Sequence, residues 1–217
     1  MASEARVGNL ETMPRTTGWL KIAGWLALSG CGWLVPANAA QDAFTPPRSR
    51  YEWDVASGVL WRVGGGATPL SYTVLPQIIT LKIPPIRELP WAGGTLVYRT
   101  RFSLLVEPIV RGPEHYFIGT AAAGDLEWRN SSGRFAVFFA GGGGFGWMDS
   151  KGYEVAGGQG QDFNLNWLAH GGVRFRTRWG WRWSLSAYFQ HISNRGMNKV
   201  NPGLNALGPM LSLSQNF

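Results

Sequence analysis

Near its C-terminus the chain reads Gln190-His191-Ile192-Ser193-Asn194-Arg195-Gly196, followed a few residues later by Asn201-Pro202-Gly203-Leu204-Asn205. A histidine two residues before a serine can be a base beside a nucleophile. On a strand, positions i and i+2 share a face roughly 6.5 to 7 Å apart, within reach of an imidazole for a hydroxyl. Alone, His-x-Ser is a weak signal, and an ordinary strand end gives the same spelling. The residues in front set the face. Trp181, Trp183, Leu185, Ala187 and Phe189 hold the odd positions, and His191 and Ser193 continue them, so the polar pair shares an apolar face. Polar groups placed there cost free energy unless they have work to do. Other chemistries are poorly supplied. Three histidines and one cysteine, all far apart, exclude the common structural zinc spacings, and no metal or cofactor is expected. Gly141 to Gly144 lacks the Gly-Lys-Ser/Thr that a phosphate loop requires.

The elements that carry this pair alternate with period two. From Tyr51 the odd positions read Tyr51, Trp53, Val55, Ser57, Val59, Trp61 and Val63, against Glu52, Asp54, Ala56, Gly58, Leu60 and Arg62. Leu96 to Val110 and Phe163 to Phe175 repeat the pattern, with Arg99, Arg101, Glu107, His170 and Arg174 on the polar face. Further strands are expected at 70–83, 115–128, 134–147, 181–193 and 206–217, which brings the number to eight. These runs are longer than those of soluble sheets and suit tilted strands that cross a bilayer. Trp and Tyr cluster near their ends, where an aromatic girdle meets headgroups, and Phe217 closes the last strand. The expected fold is all-β: an eight-stranded antiparallel transmembrane β-barrel of the up-and-down type, spanning 51–217. Its lumen would be filled by Glu52, Asp54, Glu107, Arg99, Arg101, Arg174 and Arg176 in pairs. A soluble lipocalin-like barrel is the alternative, with the tryptophans inside. The segment Pro84 to Gly94 is long for a periplasmic turn, which leaves a misplaced strand boundary or a structured loop.

Residues 1–39 carry Arg6, Arg15 and Lys21, an apolar run from Ile22 to Val35 and Ala37-Asn38-Ala39, the layout of a secretory signal peptide cleaved before Ala40. A lipoprotein signal ending before Cys31 is the alternative. Residues 40–50 would be a periplasmic N-terminal segment. Only 15% of residues are charged against 13% aromatic, which excludes a disordered chain. The net charge of +7 is diffuse, without a run of five like charges, and no nucleic-acid partner is expected. Counted from a periplasmic N-terminus, strand seven runs outward. His191 then lies at the outer leaflet of a bacterial outer membrane, among lipopolysaccharide.

With these residues in view, the segment resembles the lipid A 3-O-deacylase (PagL-type) family, outer-membrane acyl hydrolases on eight-stranded barrels with a C-terminal His-x-Ser-Asn motif and an Asn-Pro-Gly-like turn. His191-Ile192-Ser193-Asn194 and Asn201-Pro202-Gly203 carry the likeness over about 15 residues. The resemblance implies Ser193 as nucleophile, His191 as its base, Asn194 with a backbone amide near Gly196 as the oxyanion hole, and lipid A as the substrate, cut at its 3-position ester. Outer-membrane lipids are the expected surroundings, and a homodimer stays open. One position departs: the family pattern has a glutamate where this chain has Asn205, which can fix the imidazole tautomer but brings no charge. Asn198 and Asn201 stand nearby as other orienting groups. The competing function is a non-catalytic structural or ligand-binding barrel with a degenerate triad.

Overall fold

The computed structural model describes residues 50–64 and 70–217. The signal segment, Cys31 and nearly all of the 40–50 segment lie outside them. The strands are β1 (Glu52–Gly58), β2 (Leu60–Arg62), β3 (Thr73–Val74), β4 (Gln77–Lys82), β5 (Arg87–Trp91), β6 (Gly94–Arg111), β7 (Tyr116–Asn130), β8 (Phe135–Met148), β9 (Phe163–Arg176), β10 (Arg182–Ser193) and β11 (Leu204–Asn216). β1 with β2 makes one stave and β3 with β4 the next; β6 to β11 supply six more. Neighbouring staves pair antiparallel, and β11 returns to β1 through Glu52↔Asn216 to Gly58↔Met210, so an eight-stave barrel closes. β5 is the surprise. The Pro84–Gly94 segment turns at Ala92 and Gly93 and lays β5 along the start of β6, from Arg87↔Tyr98 to Trp91↔Gly94. β5 lies on the same edge of β6 as β4, and the Ile83 and Ile86 N–H groups bond the Thr100 and Tyr98 carbonyls between them, so the stave of β3 and β4 runs on to Trp91. The strand end expected at 83 is the misplaced boundary, and the turn itself is Ala92–Gly93.

The alternation does what lipid demands. Val55, Trp61, Ile79, Phe102, Leu104, Phe139, Trp147, Trp167, Trp183 and Leu185 are exposed on the outside, and their neighbours point inward. This excludes the lipocalin arrangement. Among the described residues no helix is long and apolar enough to cross a membrane, so crossing falls to the strands. Residue 51, residue 217 and the short turns 131–134 and 177–181 share one rim; the turn 112–115 and the much longer connections 149–162 and 194–203 share the other. Short turns mark the periplasmic rim and long connections the outer one.

The lumen divides along its axis. Toward the periplasmic rim it is ionic. Buried Glu52 meets Lys82 at 2.9 Å, Arg99 at 3.1 Å and Arg182 at 2.6 Å. Glu127 pairs with Arg174 and Arg129, and Asp125 lies 3.9 Å from both Lys82 and Arg101. Toward the outer rim an apolar cluster joins the filling: Tyr72, Val74, Ile78, Leu105, Ile109, Phe117, Ile192, Leu204 and Met210 are buried together, and Glu107, Asn164, Asn166 and Gln190 are buried in the same half. A barrel this narrow is packed like a core wherever loops cap it, so apolar side chains share the interior with the expected charged ones. Two expected members of the ionic network also fall outside it. Glu107 is buried beside Gln190, away from the arginines, and Arg176 is exposed at the rim.

Candidate functional site

β10 ends at the outer rim, and its odd residues face outward. His191 and Ser193 therefore emerge half-buried on the lipid side, two positions short of and at the end of the strand. Register supplies their neighbours. His191 lies opposite Asn205 on β11 and opposite Trp167 on β9, and directly opposed side chains on one face touch. The Trp167 ring centroid is 5.7 Å from that of His191, closing one flank of the imidazole.

On the other flank Asn205 Oδ1 stands 2.7 Å from His191 Nδ1, and Ser193 Oγ stands 2.9 Å from Nε2. A side-chain carbonyl can only accept, so Nδ1 carries the proton. Nε2 is then left with its lone pair toward the serine, and the Ser193 hydroxyl donates to it. This is the hydrogen-bond order of a hydroxyl nucleophile, a base and an orienting group. A neutral orienter fixes the tautomer without stabilising the imidazolium by charge.

The loop 194–203 holds this geometry. Asn194 is buried, and all of its local bonds are to the loop: its N–H donates to Asn201 Oδ1 at 3.0 Å, its Nδ2 to the Val200 carbonyl at 2.9 Å, and its Oδ1 accepts from the Gly196 N–H at 2.9 Å. Asn194 and Gly196, read from the sequence as oxyanion donors, thus sit beside Ser193 with these donors engaged inside the loop. Asn198 accepts from the Tyr153 hydroxyl and from Val200 N–H and donates to the Gly160 carbonyl. Asn198 and Asn201 are therefore loop braces, and it is Asn205 that meets the ring.

Gly203 completes the enclosure. It has φ +67°, and a Cβ built on it would lie 3.3 Å from His191 Cε1 and 3.9 Å from Ser193 Cβ. Only a residue without a side chain leaves the imidazole where it is. Sequence reading singled out the Asn-Pro-Gly turn as a motif but missed Gly203 and Trp167 as walls of the site. The first signal was the turn itself; the second needs strand register, which spacing alone does not give. Among the described residues no group of three His, Cys, Asp or Glu could hold a metal ion.

A closed barrel with an apolar outside, an ionic lumen and a polar site opening at its outer rim is the architecture of an integral outer-membrane protein. The family model for lipid A 3-O-deacylase (PagL) matches residues 87–214, which covers β5 to nearly the end of β11 and the whole site. The chain belongs to that family, and its place is the bacterial outer membrane. No curated protein matches the chain. Among solved structures it is similar to the crystal structure of the outer membrane enzyme PagL, at 14% identity over 76% of this chain and 98% of that one, with a TM-score of 0.48. It is also similar to the Yersinia pestis outer membrane protein Ail in a phospholipid nanodisc, at 13% identity over 78% and 99%, TM-score 0.34. A third likeness is to the β domain of the Bordetella autotransporter Brka, at 14% identity over 78% and 80%, TM-score 0.35. The assignment rests on the family match and not on these distant superpositions.

Proposed function

We propose that the chain is a serine esterase that removes the ester-linked acyl chain at the 3-position of lipid A in the outer leaflet. Ser193 Oγ attacks the ester carbonyl while His191 Nε2 takes its proton. The collapsing tetrahedral intermediate expels the sugar hydroxyl, which receives that proton from His191, and leaves an acyl group on Ser193. Water, activated by the same imidazole, then releases the fatty acid. Asn205 holds the ring in the productive tautomer. In the assigned roles Asn194 and Gly196 stabilise the oxyanion by exchanging bonds of the loop for bonds to substrate.

The observation that carries this reading is the chain Ser193–His191–Asn205 on the lipid face of a member of this family. A specific observation favours the second reading, a barrel with a degenerate triad: the orienter is neutral and the oxyanion donors are engaged. An organophosphonate that mimics an acyl ester separates the two. Peptide mapping of the folded protein should find the adduct on Ser193, and His191→Ala should prevent it. A barrel that stays unmodified at Ser193 while keeping its heat-modifiable migration supports the second reading.

A further inference from the structure

At the periplasmic rim, opposite in the barrel to His191, the inward faces of β7 to β10 enclose a part-open cavity of about 150 Å³. Arg129, Arg134, Arg174, Arg176 and Arg182 line it, with Glu127. Their convergence follows from register. Arg129 and Arg174 both lie across from Ala136 of β8, whose methyl leaves the space between them open. Arg176 lies directly opposite Arg182, and like charges facing each other across strands repel.

The carboxylates at hand do not balance this. Glu127 serves Arg174 and Arg129, and Glu52 serves Arg182, Arg99 and Lys82. Arg134 and Arg176 are exposed at the opening, and neither guanidinium has a carboxylate partner among the described residues. A surplus of guanidinium forks around a half-enclosed space is the chemistry that recognises a phosphate group. Its height fits a lipid headgroup. Phe175, Trp179 and Phe217 are exposed at the same rim, and Arg178 stacks over Trp179 at 4.4 Å, so the opening lies in the aromatic belt of the periplasmic leaflet.

We infer that this cavity is an anion site that binds the phosphate of an inner-leaflet phospholipid headgroup. It stands independently of the esterase reading. Arg176 and Arg182 would share the phosphate oxygens, which relieves their repulsion, while Arg134 closes the open side.

The test is native mass spectrometry of the detergent-released, folded barrel titrated in separate arms with phosphatidylglycerol, phosphatidylcholine and inorganic phosphate. One phosphatidylglycerol should bind saturably and in preference to phosphatidylcholine. Arg134→Ala/Arg176→Ala should weaken it roughly thirty-fold, taking each arginine near a membrane surface at its usual worth. Arg134→Lys/Arg176→Lys should restore part of the loss. Both side chains are exposed and unpaired with carboxylates, so the variants should keep heat-modifiable migration and unaltered esterase turnover. Inorganic phosphate binding one to one, with the same sensitivity to the double variant, would support the anion site and assign it to a soluble source. Equal lipid retention by the wild type and the alanine variant, or binding without saturation, would overturn the inference.

Discussion

Two of the three histidines make a short hydrogen bond to a serine, and they do opposite things with it. In the lumen His170 Nε2 lies 2.8 Å from Ser186 Oγ, as close as His191 Nε2 lies to Ser193 Oγ on the outside. The difference is at the other ring nitrogen. His170 Nδ1 faces Arg101 at 3.2 Å, and a guanidinium only donates, so Nδ1 accepts and Nε2 carries the proton. His170 therefore donates to Ser186, whose own hydroxyl donates onward to the Met210 carbonyl at 3.3 Å. His191 is set the other way round by Asn205, and its Nε2 is free to receive a proton. A histidine beside a serine is thus a base only when the second nitrogen meets an acceptor. Access follows the same division: His170 is buried among charges, and His191 opens to the acyl chains of the outer leaflet.

The largest expected effects separate these pairs. Ser193→Ala or His191→Ala should each lower turnover on the order of 10⁴-fold or more, because the groups act as a unit. Ser186→Ala should leave turnover unchanged in the same assay of lipid A deacylation. Breaking the lumen's network should instead register as stability. Arg174→Ala leaves Glu127 and Glu52 short of a buried partner and is expected to cost about 3 to 5 kcal/mol, read from denaturant unfolding in detergent, with the site's chemistry retained in the folded fraction. Gly203→Ala adds a methyl against His191 at a left-handed backbone position; it should slow turnover roughly 10²-fold with little change in stability of the barrel.

Asn205→Ala is a milder loss, on the order of tenfold, and Asn205→Glu should raise the rate by placing a charge beside the imidazolium. The smallest effect concerns the third histidine. His115 and Asp149 join two outer connections through a 2.5 Å contact between Nδ1 and Oδ2. Burial alone would push the Asp149 carboxyl up, but hydrogen bonds from the His115 ring and from the His115 and Tyr116 amides hold it below its ordinary value. A carboxyl lowered by folding stabilises above its unfolded pKa and loses that contribution as pH falls through the folded one. Faster hydrogen exchange in 149–162 should therefore appear only below about pH 4, and Asp149→Asn should produce it at neutral pH.

The barrel is readable because lipid and a packed lumen both enforce period two, so parity along Trp181 to Ser193 alone says which way His191 points. Parity says nothing about which strands meet. The pairing of His191 with Trp167 and Asn205, the convergence of five arginines on one rim and the recruitment of Lys82 and Asp125 to the ionic network all come from register. Asn205 was reached through the motif rather than through pairing. The 84–94 segment resisted because Pro84, Pro85 and Pro90 spell a loop, while β5 is an edge strand, where a proline is tolerated.

The most direct measurement is the mass profile of lipid A from outer membranes that carry the wild-type protein, Ser193→Ala or Ser186→Ala, each shown to be folded by heat-modifiable migration. The wild type and Ser186→Ala should both yield lipid A lighter by one ester-linked acyl chain at the 3-position, and Ser193→Ala should leave it intact. An unchanged profile with folded wild-type protein, or deacylation that survives Ser193→Ala, would contradict the outward serine as the nucleophile.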